Sequence, residues 1–315
     1  EYRGYDSAGL AVLGPKGVSL RRSAGKLANL ETIVSTDPVD GAYGIGHTRW
    51  ATHGRPTEEN AHPHHDCTGQ IVVVHNGIIE NYLELKRELQ NQGHAFETET
   101  DTEVIAHLVE REMRDDGLEN AARRAFAFLR GMFAVVLVGA GDPDKIVAAR
   151  KGPPMIVGVG EDEFFAASDI PAILSHTRDV VFLDNEEMAV ITRSGVDFTD
   201  FAGRVVSKTP QRVLWDPVMA EKGGHPHFML KEILEQPTAV QDTILGRVSL
   251  EQGQVFLEEI NLPDKTIQDL EQVTIIACGT SWHAALVGKC LIEALARVPV
   301  EVDYGSEYRY RDPIV

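Results

Sequence analysis

With 48 acidic against 30 basic residues in 315 positions, a formal net charge of −18, the chain lacks the basic surplus expected of a phosphate-backbone binder. Its 43% hydrophobic content supports a sizeable core, and its length suits two domains, or one and part of another. The longest clean apolar run, Phe133 to Val138, is far short of the roughly 20 residues of a bilayer span. No basic, apolar leader opens the chain. The three cysteines, Cys67, Cys278 and Cys290, form no Cys-x-x-Cys pair. This spacing argues against structural zinc and a disulfide framework and fits a reducing, cytoplasmic setting.

Ser7 to Leu13 reads as a strand that turns at Gly14-Pro15-Lys16-Gly17. Ile71 to Val74 is a short apolar run of the kind found in buried strands, bounded by Gly69 and Asn76-Gly77. Ile79 to Gln92 has helical spacing and stops at Gly93, a favourable C′ residue. Thr100 and Glu103 have the spacing of a capping box before Val104 to Leu108. Leu118 to Arg130 reads as an amphipathic helix broken by Gly131, and Phe133 to Val138 as a buried strand. Strands follow at Phe164 to Ala167 and Val180 to Leu183, then a hairpin, Met188 to Thr192 with Val196 to Phe198. Strands joined by hairpins predict antiparallel sheets with helices on their faces.

After Trp215 the pattern changes. Asp216 to Pro226 reads as a linker, and His227 to Gln236 as a short helix stopped before Pro237. Val273 to Ala277, Cys278-Gly279-Thr280-Ser281, Trp282 to Arg297 and Val300 to Val302 read as strand, glycine turn, helix and strand, the opening of a doubly wound parallel sheet. A lone unit of this kind buries little apolar surface. The opening at Glu1 and the close at Val315 both look like cuts within domains.

His47 to Gly54 contains the residue best suited to grip a carboxylate. The Arg49 guanidinium matches a carboxylate bidentately, with Thr48, Thr52 and His53 beside it. The plainer reading is a strand-end arginine in a surface salt bridge. Asn76 and Gly77 could form an oxyanion hole from a carboxamide and a backbone N–H, each such donor being worth on the order of 3 kcal/mol. The plainer reading is a hairpin turn, against which Ile78-Ile79 leads straight toward a helix. Asp101 is either a helix-dipole carboxylate or the counter-charge for a substrate ammonium. His62, His64, His65, Asp66 and Cys67 raise a metal site, but their spacing matches no zinc pattern, and a polar loop over the pocket is the expectation. Gly279-Thr280-Ser281 is a phosphate cradle at a helix start, or a tight turn with Ser281 as N-cap.

Together, Glu1 to Gly9, His47 to Gly54, Asn60 to His64, Val72 to Asn81, Thr100 to Glu103, Met229 to Pro237 and Ala277 to Ser281 resemble, in order, the family of glutamine:fructose-6-phosphate aminotransferases (isomerizing), the glucosamine-6-phosphate synthases. The resemblance implies an α/β (α+β) architecture: an N-terminal-nucleophile hydrolase αββα sandwich, followed by the start of a sugar-isomerase (SIS) domain with a doubly wound parallel sheet. It implies a glutaminase domain over 1–215 lacking its first strand, a hinge over 216–240, and a truncated SIS domain over 241–315. By the same resemblance Arg49, Thr52, His53, Gly77 and Asp101 bind glutamine, and Asn76 with Gly77 forms the oxyanion hole. Trp50 gates an ammonia channel, Thr280 and Ser281 contact the sugar phosphate, and Arg3 packs near the nucleophile.

The family's nucleophilic cysteine would lie upstream of Glu1, and most isomerase residues downstream of Val315. The 315 residues alone are therefore expected to form no glucosamine 6-phosphate. The implied parent hydrolyses glutamine, passes ammonia through a channel, and aminates and isomerises fructose 6-phosphate. It needs no metal or organic cofactor, binds neither nucleic acid nor membrane, and forms a homodimer through its isomerase part. The rival readings are another class II glutamine amidotransferase, such as the phosphoribosyl-pyrophosphate type, and a non-catalytic sugar-phosphate or amino-acid binding module.

Overall fold

The computed structural model describes residues 5–15, 17–50, 54–214, 225–244, 248–249, 253–255, 263–311 and 313–314. The chain divides into two compact units, Glu1–Lys231 and Glu232–Val315.

In the first unit, strand β1 (Ser7–Gly14) pairs antiparallel with both β2 (Gly17–Ala24) and β3 (Tyr43–Arg49), giving a three-stranded sheet. Helix α1 (Leu27–Thr36) follows β2 and packs back on it. A six-stranded antiparallel sheet forms the centre. Its order is β12 (Gly195–Asp200), β11 (Glu187–Thr192), β7 (Lys145–Lys151), β6 (Gly131–Gly139), β5 (Ile71–Ile79) and β4 (His64–His65). A four-stranded sheet completes the unit, in the order β13 (Gln211–Arg212), β10 (Asp179–Phe182), β8 (Ile156–Val159) and β9 (Phe164–Ala167).

Side chains alternate along the central strands, and this builds the layers. Val73, Val135, Leu137, Val147, Ala149 and Met188 pack against helices α2 (Tyr82–Asn91), α3 (Glu103–Glu112) and α4 (Leu118–Phe126). The opposite face divides. Val72, Val74 and Val138 meet Ala11, Leu13 and Ile45 of the three-stranded sheet. Ala134, Ala148, Ala189 and Ile191 meet Val157 and Val181 of the four-stranded sheet. Each large aliphatic side chain buried this way contributes about 1.5–3 kcal/mol. With α1 and the short 3₁₀ turn Ile170–Ala172 on the far side, the unit is an αββα sandwich, as the resemblance implied.

Several expected boundaries move. The strand beginning at Ile71 runs through Asn76-Gly77 to Ile79, and the helix starts at Tyr82. Asn76-Gly77 is therefore strand rather than turn, because Asn76 pairs with Ala134 and Gly77 with Phe133. The capping box does not form. Thr102 takes the N-cap position without a side-chain bond, and Glu103 turns outward from the helix to accept the Glu97 and Thr98 amides at 2.7 and 2.8 Å. Helix α4 ends at Phe126 rather than Arg130, and Gly131, with φ +114°, opens β6.

Helix α5 (Phe228–Ile244) runs through Pro237 instead of stopping before it. A proline inside a helix gives up one backbone bond, and the flanking residues keep the helical path. The rest of the expected linker lies largely outside the described residues. Further on are the short strands β14 (Val248–Ser249) and β15 (Gln254–Val255) and helix α6 (Asp264–Gln268). Then β16 (Val273–Ala277), α7 (Gly279–Leu295), β17 (Val300–Tyr304) and α8 (Gly305–Arg311) follow, with β16 and β17 parallel. Helix α7 starts at Gly279 with Cys278 at the N-cap position, so Ser281 lies inside the first turn rather than capping it. Ala285 is the buried residue of α7, while Val287, Leu291 and Leu295 are exposed.

Candidate functional site

A cavity of about 590 Å³ is lined by the first half of β1, the end of β3, the later part of β5 and the middle of β6, with α1 and the end of β9 closing it. Its lining includes Arg49, Trp50, Asn76, Gly77 and Asp101. The side chains arrive from separate elements: Arg49 closes β3, Asn76 and Gly77 lie in β5, and Asp101 precedes α3. The proposed glutamine residues Thr52 and His53 lie outside the described residues, as does Arg3. Thr280 and Ser281 are exposed in the first turn of α7, in the second unit.

Arg49 is buried, with only 4% of its surface exposed, so the surface salt bridge of the plainer reading does not describe it. Its guanidinium donates to the carbonyls of Gly54 and Arg55, each at 3.4 Å. Burial pushes its pKa down, and the carboxylates of Asp6 and Asp101 oppose that shift. The cavity thus contains a buried cation with acidic groups close enough to influence it.

Asp101 sits upstream of α3, and its Oδ2 accepts the Ile79 amide at 2.8 Å. This bond fixes the direction of a neighbouring donor. Along a strand, successive N–H groups point to opposite edges. His75 N–H bonds His62 Nδ1 at 3.3 Å and Ile79 N–H bonds Asp101, so both face away from β6. Gly77 lies midway between them, so the same alternation aims its N–H at that edge. Only glycine fits at this position: its φ is +144°, and an added Cβ would lie 2.1 Å from the Met132 carbonyl oxygen. Asn76 is exposed beside it at the cavity wall. An outward N–H and an adjacent carboxamide can hydrogen-bond a developing oxyanion.

A buried histidine layer supports this wall. The rings of His47 and His62 stack at 4.4 Å, and His64 stands edge-on to His62 at 4.7 Å. Burial, with His75 and Arg49 nearby, pushes His47 down to about 4. Burial likewise pushes His64 down to about 3 and holds His62 well below the ordinary histidine value. A neutral His62 accepts the His75 amide through Nδ1, so its Nε2 carries the proton and faces the Thr102 hydroxyl at 3.4 Å. Thr102 in turn lies 2.9 Å from His75 Nδ1, and Thr100 lies 3.2 Å from His64 Nε2. His62 and His64 are therefore packing and hydrogen-bonding groups that brace Thr100 to Thr102, while His65 turns to the Asp66 carbonyl and Glu97.

Asn60 and Glu99 were not singled out from the sequence as site residues. Asn60 Nδ2 donates to the Arg55 carbonyl at 3.0 Å and to Glu99 at 3.2 Å, and its Oδ1 accepts the Glu99 amide at 2.9 Å. This pair ties the carbonyls that hold Arg49 to the segment carrying Asp101. Its signal was the Asn60 to His64 segment, legible only as part of the resemblance.

A glutamine amidotransferase domain profile matches residues 47–175. Over all 315 residues the chain is 50% identical to a protein of Caldanaerobacter subterraneus subsp. tengcongensis named glutamine–fructose-6-phosphate aminotransferase [isomerizing], covering 52% of that relative. A Thermus thermophilus protein of the same name is 52% identical over the same 315 residues, which cover 51% of it. The chain spans about half the length of the curated relatives it matches. Among solved structures, glutamine phosphoribosylpyrophosphate amidotransferase from B. subtilis, complexed with ADP and GMP, aligns with a TM-score of 0.57 at 19% identity. The alignment covers 96% of this chain and 60% of that one. At that identity the likeness carries the fold alone.

Proposed function

We propose that the cavity binds glutamine and stabilises the oxyanion formed when the side-chain amide is attacked, a reading supported by the glutamine amidotransferase profile over residues 47–175. Arg49 takes the α-carboxylate, and Asp101, with one oxygen on Ile79, offers the other to the α-ammonium. Thr52 and His53 add polar contacts. The amide oxygen then meets the Gly77 N–H and the Asn76 carboxamide, where negative charge develops as the carbonyl becomes tetrahedral. In this reading Trp50, 70% exposed and part of the cavity lining, covers the departing ammonia. The Gly77 N–H at the open edge of β5, in a cavity shared with a buried arginine, carries this reading.

The relatives' names extend it to the longer protein. There the ammonia is transferred to fructose 6-phosphate, and Thr280 and Ser281 hold the sugar phosphate at the start of α7, where free N–H groups favour an anion. This reading makes 1–215 the glutaminase part, 216–240 the hinge and 241–315 the start of a SIS domain, in a cytoplasmic homodimer. No helix among the described residues is long and apolar enough to cross a membrane.

Calorimetric titration of the purified chain with L-glutamine and L-glutamate tests the site without requiring turnover. Saturable binding that Arg49→Ala abolishes is expected. Absence of binding by the parent chain, or equal binding by the variant, overturns the proposal.

A further inference from the structure

Cys67, His94, His107 and Glu110 converge below the central sheet, apart from the cavity lining, and each offers one ligand atom within 4.8 Å of the others. They come from three places: the turn between β4 and β5, the connection after α2, and one face of α3, where His107 and Glu110 are three residues apart. Cys67 Sγ lies 3.6 Å from His94 Nδ1 and 3.5 Å from His107 Nδ1. Glu110 Oε2 lies 3.3 Å from His107 Nδ1 and 2.8 Å from His94 Nδ1.

Three of these four separations match the edges of a zinc tetrahedron. With Zn–S near 2.3 Å and Zn–N or Zn–O near 2.0–2.1 Å, neighbouring sulfur and nitrogen ligands stand about 3.5–3.6 Å apart. On the same basis nitrogen and oxygen ligands stand about 3.3–3.4 Å apart. Three of the four measured edges fall on these values, and the fourth needs to open by about half an ångström.

The surroundings supply a second, independent feature. His107 is buried, at 1% exposure, and its Nε2 faces Glu103 Oε1 at 3.6 Å. Glu103 is itself held by the Glu97 and Thr98 amides. At this distance the carboxylate is outside hydrogen-bond reach, and among the described residues the buried Nε2 has no hydrogen-bond partner, but Glu103 stands on the side of the ring away from the cluster, where a small shift would give the outer-shell contact typical of metal-bound histidine. Ala95 N–H points at Cys67 Sγ at 3.4 Å, and Cys67 N–H at Glu110 Oε2 at 3.3 Å, so the backbone also orients the donors.

We propose that Cys67, His94, His107 and Glu110 form a four-coordinate structural zinc site. The soft thiolate and two imidazoles favour zinc over magnesium or calcium, and four protein ligands leave no open position for catalysis. Cys67 binds as the thiolate and releases its proton to solvent. The ion joins the β4–β5 turn to the α2–α3 connection that carries Asp101, yet it does not depend on glutamine binding. The cysteine spacing argued against structural zinc because only one ligand is a cysteine, and the others are brought to it by the fold.

The test is zinc retention by the purified chain, loaded with zinc chloride, dialysed against metal-free buffer and measured by elemental mass spectrometry. About one zinc per chain is expected for a single four-ligand site. Cobalt in its place is expected to show a thiolate-to-metal charge-transfer band. Cys67→Ala and Glu110→Gln should each lose most of the retained zinc while keeping the parent's far-ultraviolet circular dichroism, and Cys278→Ser should lose none. A parent chain that retains no zinc, or variants that retain as much as the parent, overturns the proposal and reduces the cluster to a hydrogen-bond network.

Discussion

Asp101 accepts the Ile79 backbone amide at 2.8 Å, joining the segment before α3 to the strand that carries Asn76 and Gly77. A carboxylate proposed to face the ligand is thus also the group that terminates β5. Asp101→Ala removes a buried charged acceptor and leaves the Ile79 N–H unpaired. A loss of about 1–3 kcal/mol is expected in urea unfolding. Asp101→Asn keeps an oxygen for that bond and should recover most of the stability while still weakening glutamine binding at least about tenfold, since it removes the charge opposite the ammonium. Equal affinity of Asp101→Asn and the parent would show that the carboxylate does not meet the ligand.

Gly77→Ala tests the shape of β5. The added methyl meets the Met132 carbonyl in a backbone region that side chains rarely adopt. Strain of this kind costs about 1–3 kcal/mol before any steric relief. The unfolding midpoint should fall by a corresponding amount, and an unchanged midpoint would mean that the strand can shift without penalty.

Arg49→Lys separates charge from geometry. Lysine keeps the positive charge but cannot span two carboxylate oxygens and the two loop carbonyls together. Glutamine affinity is expected to drop by about 1.4–3 kcal/mol, roughly 10–150-fold. Full affinity in the lysine variant would show that a point charge is sufficient.

The buried histidines predict a stability limb at acid pH. His64, pushed down to about 3 by burial, stays neutral in the folded chain, whereas its unfolded counterpart protonates near 6.5. Between those values the unfolded state holds more protons, so stability declines as pH falls below about 6.5 and levels off near the folded value. Each such histidine contributes about 1.4 kcal/mol of loss at one pH unit below the unfolded value. Urea unfolding at pH 7.5 and 5.5 should show this loss, and His64→Gln should reduce it. Equal parent stability at both values would rule out burial of neutral histidines here.

Much of the sandwich was legible because strands with one or two buried faces must alternate or run apolar, as Ile71 to Val74 and Phe133 to Val138 do. Boundaries were less legible where tertiary partners outweighed local signals. Glu103 had the spacing to cap its own helix, yet it binds the Glu97 and Thr98 amides. Asn76-Gly77 had the composition of a turn, yet it stays in the ladder because β6 supplies partners on that edge. Arg49, Asn76, Gly77 and Asp101 are legible as residue types suited to amide chemistry, whereas the cavity that they share is set by the fold.

Residue chemistry and order along the chain determined the relationship to amidotransferases, the alternation of the central strands and the choice of a carboxylate-gripping arginine. The folded molecule alone decided that Arg49 is buried beside Asp6 and Asp101, that Gly77 directs its amide to an open edge, and that Cys67 turns from the neighbouring histidines toward His94 and His107. Spacing constrains only residues on the same element. Side chains from different strands and loops meet where sheet register and layer packing bring them, and no local pattern encodes that encounter.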